Sequence, residues 1–583
     1  MSDLVRCDRE EGLAICDKAF NTFNDQEIGT SNMASNEHVV EPVIAEDGSV
    51  HYATVMSPSC DRSVAVCFKV PTRIIPVIFV PGIMGSNLMN SMKKAVWQLD
   101  SKVGMIPWIQ KDASKRKVIL DPEQTVVYDD GVIPQGTVQS DAELKRRGWG
   151  EVANMSYGDF LVWLENALND VHPCTDHGRN GLRAELMKKA VTDKLNIAPL
   201  SYDEVRLSYR YRFPVHAVGY NWLQDNAESA MRLHKRIEYF MGYYRSKFGY
   251  MCERVILVTH SMGGLVARHY SEVLNHRDKV LGIVHGVMPA TGAATAYKRV
   301  KAGTDGDWGT RHVLGVDASE VTTVFAQSPG ALQLLPSTEY GKGWLNIRDG
   351  DQFKSLPETE PYSEIYLQRK KWWGLVNDEL LNPLDAKKSK VAQDWAAFAT
   401  IMREKVQPFH TGNIDANGKN DNTGISGKYH ANTYAFYGDD PQLKTWGNVA
   451  WRRARPSHPG FWNVPPAPLH DELNKAPADD SGMGSQIVEV STDGGPRRGT
   501  EPLNSWPSRN EFVLQDADEN GDGTVPRRSG AAPSQHAKVC VPYAGVDHEG
   551  AFKNGPQQRF ALWAITKIAF SVRHTSMAYK DFK

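Results

Sequence analysis

Val255-Ile256-Leu257-Val258-Thr259-His260-Ser261-Met262-Gly263-Gly264-Leu265-Val266-Ala267 decides the fold. Four unbroken apolar residues without alternation are the mark of a strand buried on both faces. Beyond the glycine pair, Leu265, Ala267 and Tyr270 lie among charged residues up to His276, a second helical stretch. A serine at such a strand-to-helix junction, with glycine two residues on, has the form of a nucleophile elbow. The turn is tight enough that bulky side chains would collide with the neighbouring elements, and glycine tolerates its backbone angles. The serine oxygen is then exposed above the sheet, at a helix N-terminus that favours negative charge. Thr259 stands where such elbows usually carry their first glycine. A bare S-x-G would fit an ordinary turn; the buried strand before it and the glycine pair after it favour the elbow.

Working outward, Ile74–Val80 is a second apolar run that ends in Pro81-Gly82, and Val280–Val284 is a third that leads into His285-Gly286. Between the first two, Ile237, Phe240, Met241 and Tyr244 share one helical face. Strand alternating with helix predicts an α/β fold, a mostly parallel central sheet flanked by helices. Thr433–Tyr437 and Val539–Tyr543 read as further strands, and Gln558–Ser571 as a closing helix. The chain then divides into an N-terminal extension (1–70), a first part of the core (71–289) and a lid or cap insertion (290–430). A core strand (431–440), a second insertion (441–511) and the C-terminal part of the core (512–583) follow. Insertions this long in an α/β protein usually form lids or binding elements on the rim of the sheet.

The 583 residues allow several domains, or one sheet with large insertions. A formal net charge of -2 gives no general attraction to nucleic acid, and none is expected as a partner. The first twenty residues carry Asp3, Arg6, Asp8, Arg9, Glu10, Glu11, Asp17 and Lys18, which leaves no room for the apolar stretch of a signal peptide. No apolar run approaches the ~20 residues that span a bilayer, so a soluble protein is expected. The seven cysteines are odd in number and irregular in spacing, against a disulfide framework or a zinc site, although Cys60 and Cys67 are near enough in sequence to pair.

A serine hydroxyl becomes a nucleophile when a histidine takes its proton and an acid orients that histidine. In a fold with this elbow the chain order is serine, acid, histidine. Asp522, in Gly521-Asp522-Gly523-Thr524-Val525-Pro526, is the candidate acid, with Asp518 as a weaker alternative. His548, which follows the strand-like Val539–Tyr543, is the candidate base, and His536 the runner-up. His260 is expected to point away from the nucleophile. The oxyanion needs donors: the Met262 N–H, and the Ile83 N–H in the glycine-rich loop Pro81–Leu88. The acid loop has a competing reading. Asp516, Asp518, Asn520 and Asp522 fit positions 1, 3, 5 and 7 of a calcium loop, but Arg527 stands where the bidentate glutamate belongs. No cofactor is required by this chemistry; Ca2+ is the one metal the pattern raises.

Pro81–Leu88, Gly219-Tyr220-Asn221-Trp222, Thr259–Gly264, Tyr434–Gly438 and Gly521–Pro526 followed by His548 resemble, in that order, the lecithin:cholesterol acyltransferase-like lipases. There is a looser similarity to GPI-inositol deacylases. The resemblance covers roughly 74–300 and 433–570 and leaves the insertions largely unmatched. It implies an α/β-hydrolase with Ser261, Asp522 and His548 as triad, Ile83 and Met262 as oxyanion donors, and a lipid ester substrate such as a phospholipid at a membrane surface. It implies an acyl-enzyme on Ser261, and a phospholipase A-type or related lipid ester hydrolase is the activity expected. Relatives often carry an acidic residue where Asn221 stands, which puts a role of that position in acyl transfer in doubt. Lacking a signal peptide, the chain looks more like bacterial lipase effectors delivered by type VI secretion; such a toxin implies an immunity protein as partner. Two rival functions stand beside hydrolysis: a lipid acyltransferase, and a catalytically silent binding module. Arg369-Lys370-Lys371-Trp372-Trp373-Gly374-Leu375 joins cations to paired tryptophans, which suits either a membrane interface or a buried aromatic cluster beneath a lid. Trp395, Phe398 and Met402 share a helical face and read as lid packing.

Overall fold

The computed structural model describes residues 37–580 except 41, 53–63, 68–69, 99, 101–107, 109, 171–180, 190, 193–194, 196, 306–314, 414–419, 455–466 and 491–507. Its centre is a six-stranded sheet of β1 (Val77–Val80), β2 (Val215–Ala217), β3 (Val255–His260), β4 (Val280–Gly286), β5 (Thr433–Gly438) and β6 (Val539–Tyr543). Every neighbouring pair is parallel, in the spatial order β6-β5-β4-β3-β1-β2. The unbroken apolar runs are explained by burial on both faces: every residue of β1, β3 and β4 is buried. Sequence patterning located five of the six strands; the edge strand β2 is only three residues long, too short to show a period.

From β1 the chain steps to one side for β2 and then to the other for β3, so the winding reverses between β1 and β3. Open α/β sheets bind ligands beyond the C-terminal ends of their strands at such a reversal. Val80 and Thr259 are register partners, so β1 and β3 end side by side and deliver their following loops to one place.

Helices cover both faces. Asn226–Phe248 and Gly263–Arg268 pack on the face that includes Ile78, Val80 and Leu257. Asn154–Leu168 and the closing helix Gly555–Phe570 cover the face that includes Val77, Phe79 and Val258.

The two insertions are not separate units. Together they supply a second six-stranded sheet, ordered Gln352–Leu356, Leu345–Asp349, Val449–Arg453, Ser508–Leu514, Ser485–Val490 and Asp479–Asp480. One pairing, between Leu345–Asp349 and Val449–Arg453, is parallel; the others are antiparallel. Ser508–Leu514 crosses the expected boundary at 511, because its ladder partners lie in the insertions and not in the central sheet. The interior of this cap is continuous with the first face of the central sheet, sharing Trp344, Ile347, Trp451 and Phe512 with it.

Trp372 and Trp373 belong to that interior and not to a membrane interface. Their indole N–H groups donate to the Glu472 and Leu473 carbonyls, at 3.1 and 2.9 Å, and Trp372 stacks on Phe512 with ring centroids 4.4 Å apart. Phe398 and Met402 are buried as lid packing, with Trp395 partly buried against the same core. Residues 1–36 and Cys60 lie outside the described residues, and with them the Cys60–Cys67 pairing. Among the described residues no helix is long and apolar enough to cross a membrane.

Candidate active site

Ser261 follows β3 directly and adopts φ +50°, the left-handed region that a non-glycine residue enters at a cost. Its N–H is tied to the Gly286 carbonyl at 2.9 Å, so the end of β4 helps to hold the turn. The glycines around it follow from contact. A Cβ on Gly263 would lie 2.4 Å from the Val80 carbonyl oxygen and 2.5 Å from that of Pro81. One on Gly82 would lie 3.0 Å from the Ser261 Cβ. The elbow and the loop after β1 therefore touch backbone to backbone. Thr259 is accommodated where a glycine is usual because its hydroxyl turns to β4 and shares a 2.8 Å hydrogen bond with His285 Nδ1, its register partner's ring.

The three residues singled out for nucleophile, base and acid meet at this turn. His548 Nε2 lies 2.8 Å from Ser261 Oγ, and His548 Nδ1 lies 2.8 Å from Asp522 Oδ2. With the ring proton on Nδ1, donated to the carboxylate, Nε2 is free to accept the serine proton. The second carboxylate oxygen of Asp522 accepts the Thr524 and Val525 N–H groups, at 2.9 and 2.7 Å, which fixes its orientation. The His548 N–H donates to the Asp522 carbonyl at 3.0 Å, so the base loop and the acid loop are joined through backbone as well. The Asp522 side chain is 1% exposed and that of His548 16%, an order that shields the acid and leaves the base an approach from solvent. Arg299 donates to the Thr524 hydroxyl at 3.0 Å and so braces the acid loop from behind.

The loop after β1 is held from several directions. The Gly85 N–H closes a turn onto the Gly82 carbonyl at 3.1 Å, with Met84 at φ +63° inside it. The Trp97 indole donates to the Met84 carbonyl at 2.8 Å, the Tyr220 hydroxyl to the Pro81 carbonyl at 2.9 Å, and the Tyr220 N–H to Ser86 Oγ at 3.0 Å. Neither the Ile83 nor the Met262 N–H donates to a backbone carbonyl among the described turns and loops. A loop held this firmly, with N–H groups unused, has the preorganisation an oxyanion site needs.

The other candidates are placed elsewhere. His536 stacks on Tyr429, centroids 4.8 Å apart, while Ser261 is met by His548. Asp518 accepts the Gly447 and Asn448 N–H groups, each at 2.9 Å, and holds a turn. Asn520 donates to Asp439 at 3.1 Å, and Asp522 faces His548. Asp518, Asn520 and Asp522 thus hold three different partners, and among the described residues no group of three or more His, Cys, Asp or Glu is placed to hold a metal ion. Asn221 is 4% exposed and its amide donates to the Pro122 and Thr125 carbonyls, at 3.1 and 2.9 Å, so it fastens one loop to another.

His260 does not point at the nucleophile, but it is not idle. Its Nε2 lies 2.7 Å from the His548 carbonyl oxygen and its Nδ1 lies 2.9 Å from the Tyr157 hydroxyl. Tyr157 has no motif around it, and nothing in the sequence marks it out.

No family model matches the chain, and no curated protein matches it. Among solved structures it is similar to one described as "The crystal structure of Tle4-Tli4 complex", at 28% identity and a TM-score of 0.67, over 85% of this chain and 98% of that one. The phospholipase PlaB from Legionella pneumophila overlaps 81% of this chain and 93% of its own, at 11% identity; its TM-score of 0.18 carries no argument. The parallel sheet with its reversal between β1 and β3, the serine elbow at that reversal and the likeness to Tle4 together make this an α/β-hydrolase fold.

Proposed function

We propose that the chain is a serine hydrolase of lipid esters, of phospholipase A type. The observation that carries this reading is the unbroken relay from Ser261 Oγ through the His548 ring to the buried Asp522 carboxylate, with 2.8 Å at each step. His548 Nε2 takes the hydroxyl proton as Ser261 Oγ attacks the ester carbonyl carbon. The carbonyl oxygen becomes an oxyanion facing the Ile83 and Met262 N–H groups. Collapse of this intermediate breaks the bond to the alcohol, which leaves with the proton held by His548, and the acyl group stays on Ser261. Water, deprotonated by His548, then releases the fatty acid and restores the serine. Asp522 stays ionised and stabilises the imidazolium in both halves.

The motif resemblance to lecithin:cholesterol acyltransferase-like lipases supports a lipid ester, and the resemblance to type VI lipase effectors supports a place among them. Tle4 was solved in complex with a second protein, Tli4. By analogy, this chain is inferred to have an immunity protein as partner and delivery by type VI secretion as its route.

Lipid profiling of mixed phospholipids with wild type and Ser261→Ala tests the reading. Free fatty acid and lysophospholipid are expected with wild type, falling by about 10⁴-fold or more in the variant. A fluorophosphonate should label Ser261. Equal turnover by the two proteins would remove Ser261 from the chemistry, and transfer to an added alcohol exceeding fatty-acid release would make the protein an acyltransferase.

A further inference from the structure

His260 and Tyr157 form a buried polar pair whose hydrogen bonds can run in one direction only. The His548 carbonyl accepts and cannot donate, so His260 Nε2, 2.7 Å away, carries the ring proton. The ring is neutral, since burial, with His548 close by, pulls it down to about 3. Its Nδ1 therefore has only a lone pair, and the Tyr157 hydroxyl must donate to it across 2.9 Å. The Tyr157 oxygen in turn accepts the Gly82 N–H at 3.2 Å. The result is one directed chain, from the Gly82 N–H to Tyr157, from Tyr157 to His260, and from His260 to the His548 carbonyl.

The two ends of this chain are functionally unlike. Gly82 immediately precedes Ile83, and a Cβ on Gly82 would meet His260 Nδ1 at 2.8 Å, so loop and ring are in direct contact. At the other end the His548 backbone is fixed on both sides, its N–H by the Asp522 carbonyl and its carbonyl by His260. Phe79 packs on Tyr157 at 4.9 Å between centroids and Phe552 sits edge-on to His260 at 6.1 Å, an apolar jacket around the pair. Tyr157 and His260 are 4% exposed each. Fold stability alone would be met as well by apolar residues of matching shape, which need no partners.

We propose that Tyr157 and His260 are positioning residues that set the oxyanion loop and the catalytic base in one register, through a hydrogen-bonded chain from Gly82 to the His548 carbonyl. This rests on the serine-hydrolase reading of the same site. Neither residue touches the reacting atoms; each acts through the backbone it holds.

Two variants of the full-length chain test it. Tyr157→Phe keeps the ring and removes one hydroxyl, leaving His260 Nδ1 and the Gly82 N–H without a partner. It is expected to lower kcat on a soluble acyl ester by about 10-fold with KM unchanged, less than the ~100-fold that a misplacement of about 1 Å costs. His260→Gln retains an amide donor for the His548 carbonyl and is expected to keep more of kcat than His260→Leu. Nitrogen NMR with ¹⁵N-labelled histidine reads the chain itself: His260 should hold its proton on Nε2, with the Nδ1 resonance shifting in Tyr157→Phe. A His260 protonated on Nδ1 would reverse the deduced direction and overturn the proposal. So would a Tyr157→Phe variant that keeps wild-type kcat and takes a fluorophosphonate at the wild-type rate. A wild-type chain that takes no fluorophosphonate at Ser261 sinks the serine-hydrolase reading and the positioning role with it. A labelled wild type beside an unaffected variant sinks the positioning role alone.

Discussion

The rim of the central sheet and the cap made by the insertions are both buried, but they are built by different means. At the rim, identity is dictated by contact at single atoms. Gly263 faces two backbone oxygens closer than 2.6 Å from any added Cβ, and Ser261, Thr259, His260 and Asp522 each hold a specific polar partner. In the cap, identity is dictated by volume. Trp372 lies flat on Phe512 and edge-on to Trp451, whose centroid is 5.7 Å away. The difference teaches where tolerance lies: the rim admits few residue types at a position, whereas the aromatic interior of the cap should better tolerate apolar residues that refill the space.

The strongest way to break the comparison is Gly263→Ala. One methyl group is added, but the atoms it meets are carbonyl oxygens of Val80 and Pro81, which cannot move without moving β1 and the oxyanion loop. The cost should exceed the ~3 kcal/mol that ends the usual range for overpacking, and whatever protein folds should label poorly with a fluorophosphonate. Urea melts together with labelling rates check both. A variant that folds and labels like wild type would show that the elbow has slack the close contacts deny.

Trp372→Ala probes the other side. Removal of a fully buried indole from the cap should cost about 3–5 kcal/mol, read as a lower melting temperature. Trp372→Phe should recover part of it, since Phe keeps a ring stacked on Phe512 while losing the hydrogen bond to the Glu472 carbonyl and leaving a smaller cavity beside Trp451. The contrast with the rim lies in the second measurement. Ser261 in the folded fraction should still label, because the lost contacts lie among cap residues and none belongs to the triad. Loss of labelling without loss of stability would tie the cap to the chemistry directly.

The same contrast explains what was legible in the sequence. The elbow's determinants lie within thirteen consecutive residues, so strand, turn, serine and glycines are visible together. Asp522 and His548 are remote from Ser261, but Asp522 sits in a tight glycine-flanked loop and His548 in a short loop after a recognisable strand, and chain order singled them out. The cap sheet takes strands from segments as far apart as Leu345–Asp349 and Ser508–Leu514, joined by ladder pairing that leaves no local period. Read singly, each segment is a short, ambiguous run, which is why the insertions gave no sheet and the Trp372-Trp373 pair kept two readings. Tyr157 was invisible for a related reason: its partners Gly82 and His260 are 75 and 103 residues away.

Thr259→Gly should have the smallest effect, and it tests whether the departure from the usual elbow is a defect or a substitute. Glycine is favoured there because little room exists between strand and turn, yet Thr259 is fully buried and its hydroxyl is paired with His285 across the β3–β4 register. Restoring glycine removes that hydrogen bond, worth about 1 kcal/mol, and adds backbone freedom to the unfolded chain, worth about 0.5–1 kcal/mol. It also leaves His285, whose Nε2 already lacks a partner, with no hydrogen bond on its other nitrogen. The expected result is a loss of about 1.5–2 kcal/mol in a urea melt, with the folded protein still labelled at Ser261. Thr259→Val separates the terms, because it keeps the branched strand residue and removes only the hydroxyl. If valine is as costly as glycine, the bond to His285 carries the position. If valine is harmless, the branched carbon skeleton suffices, and threonine is here as a strand former at the end of β3.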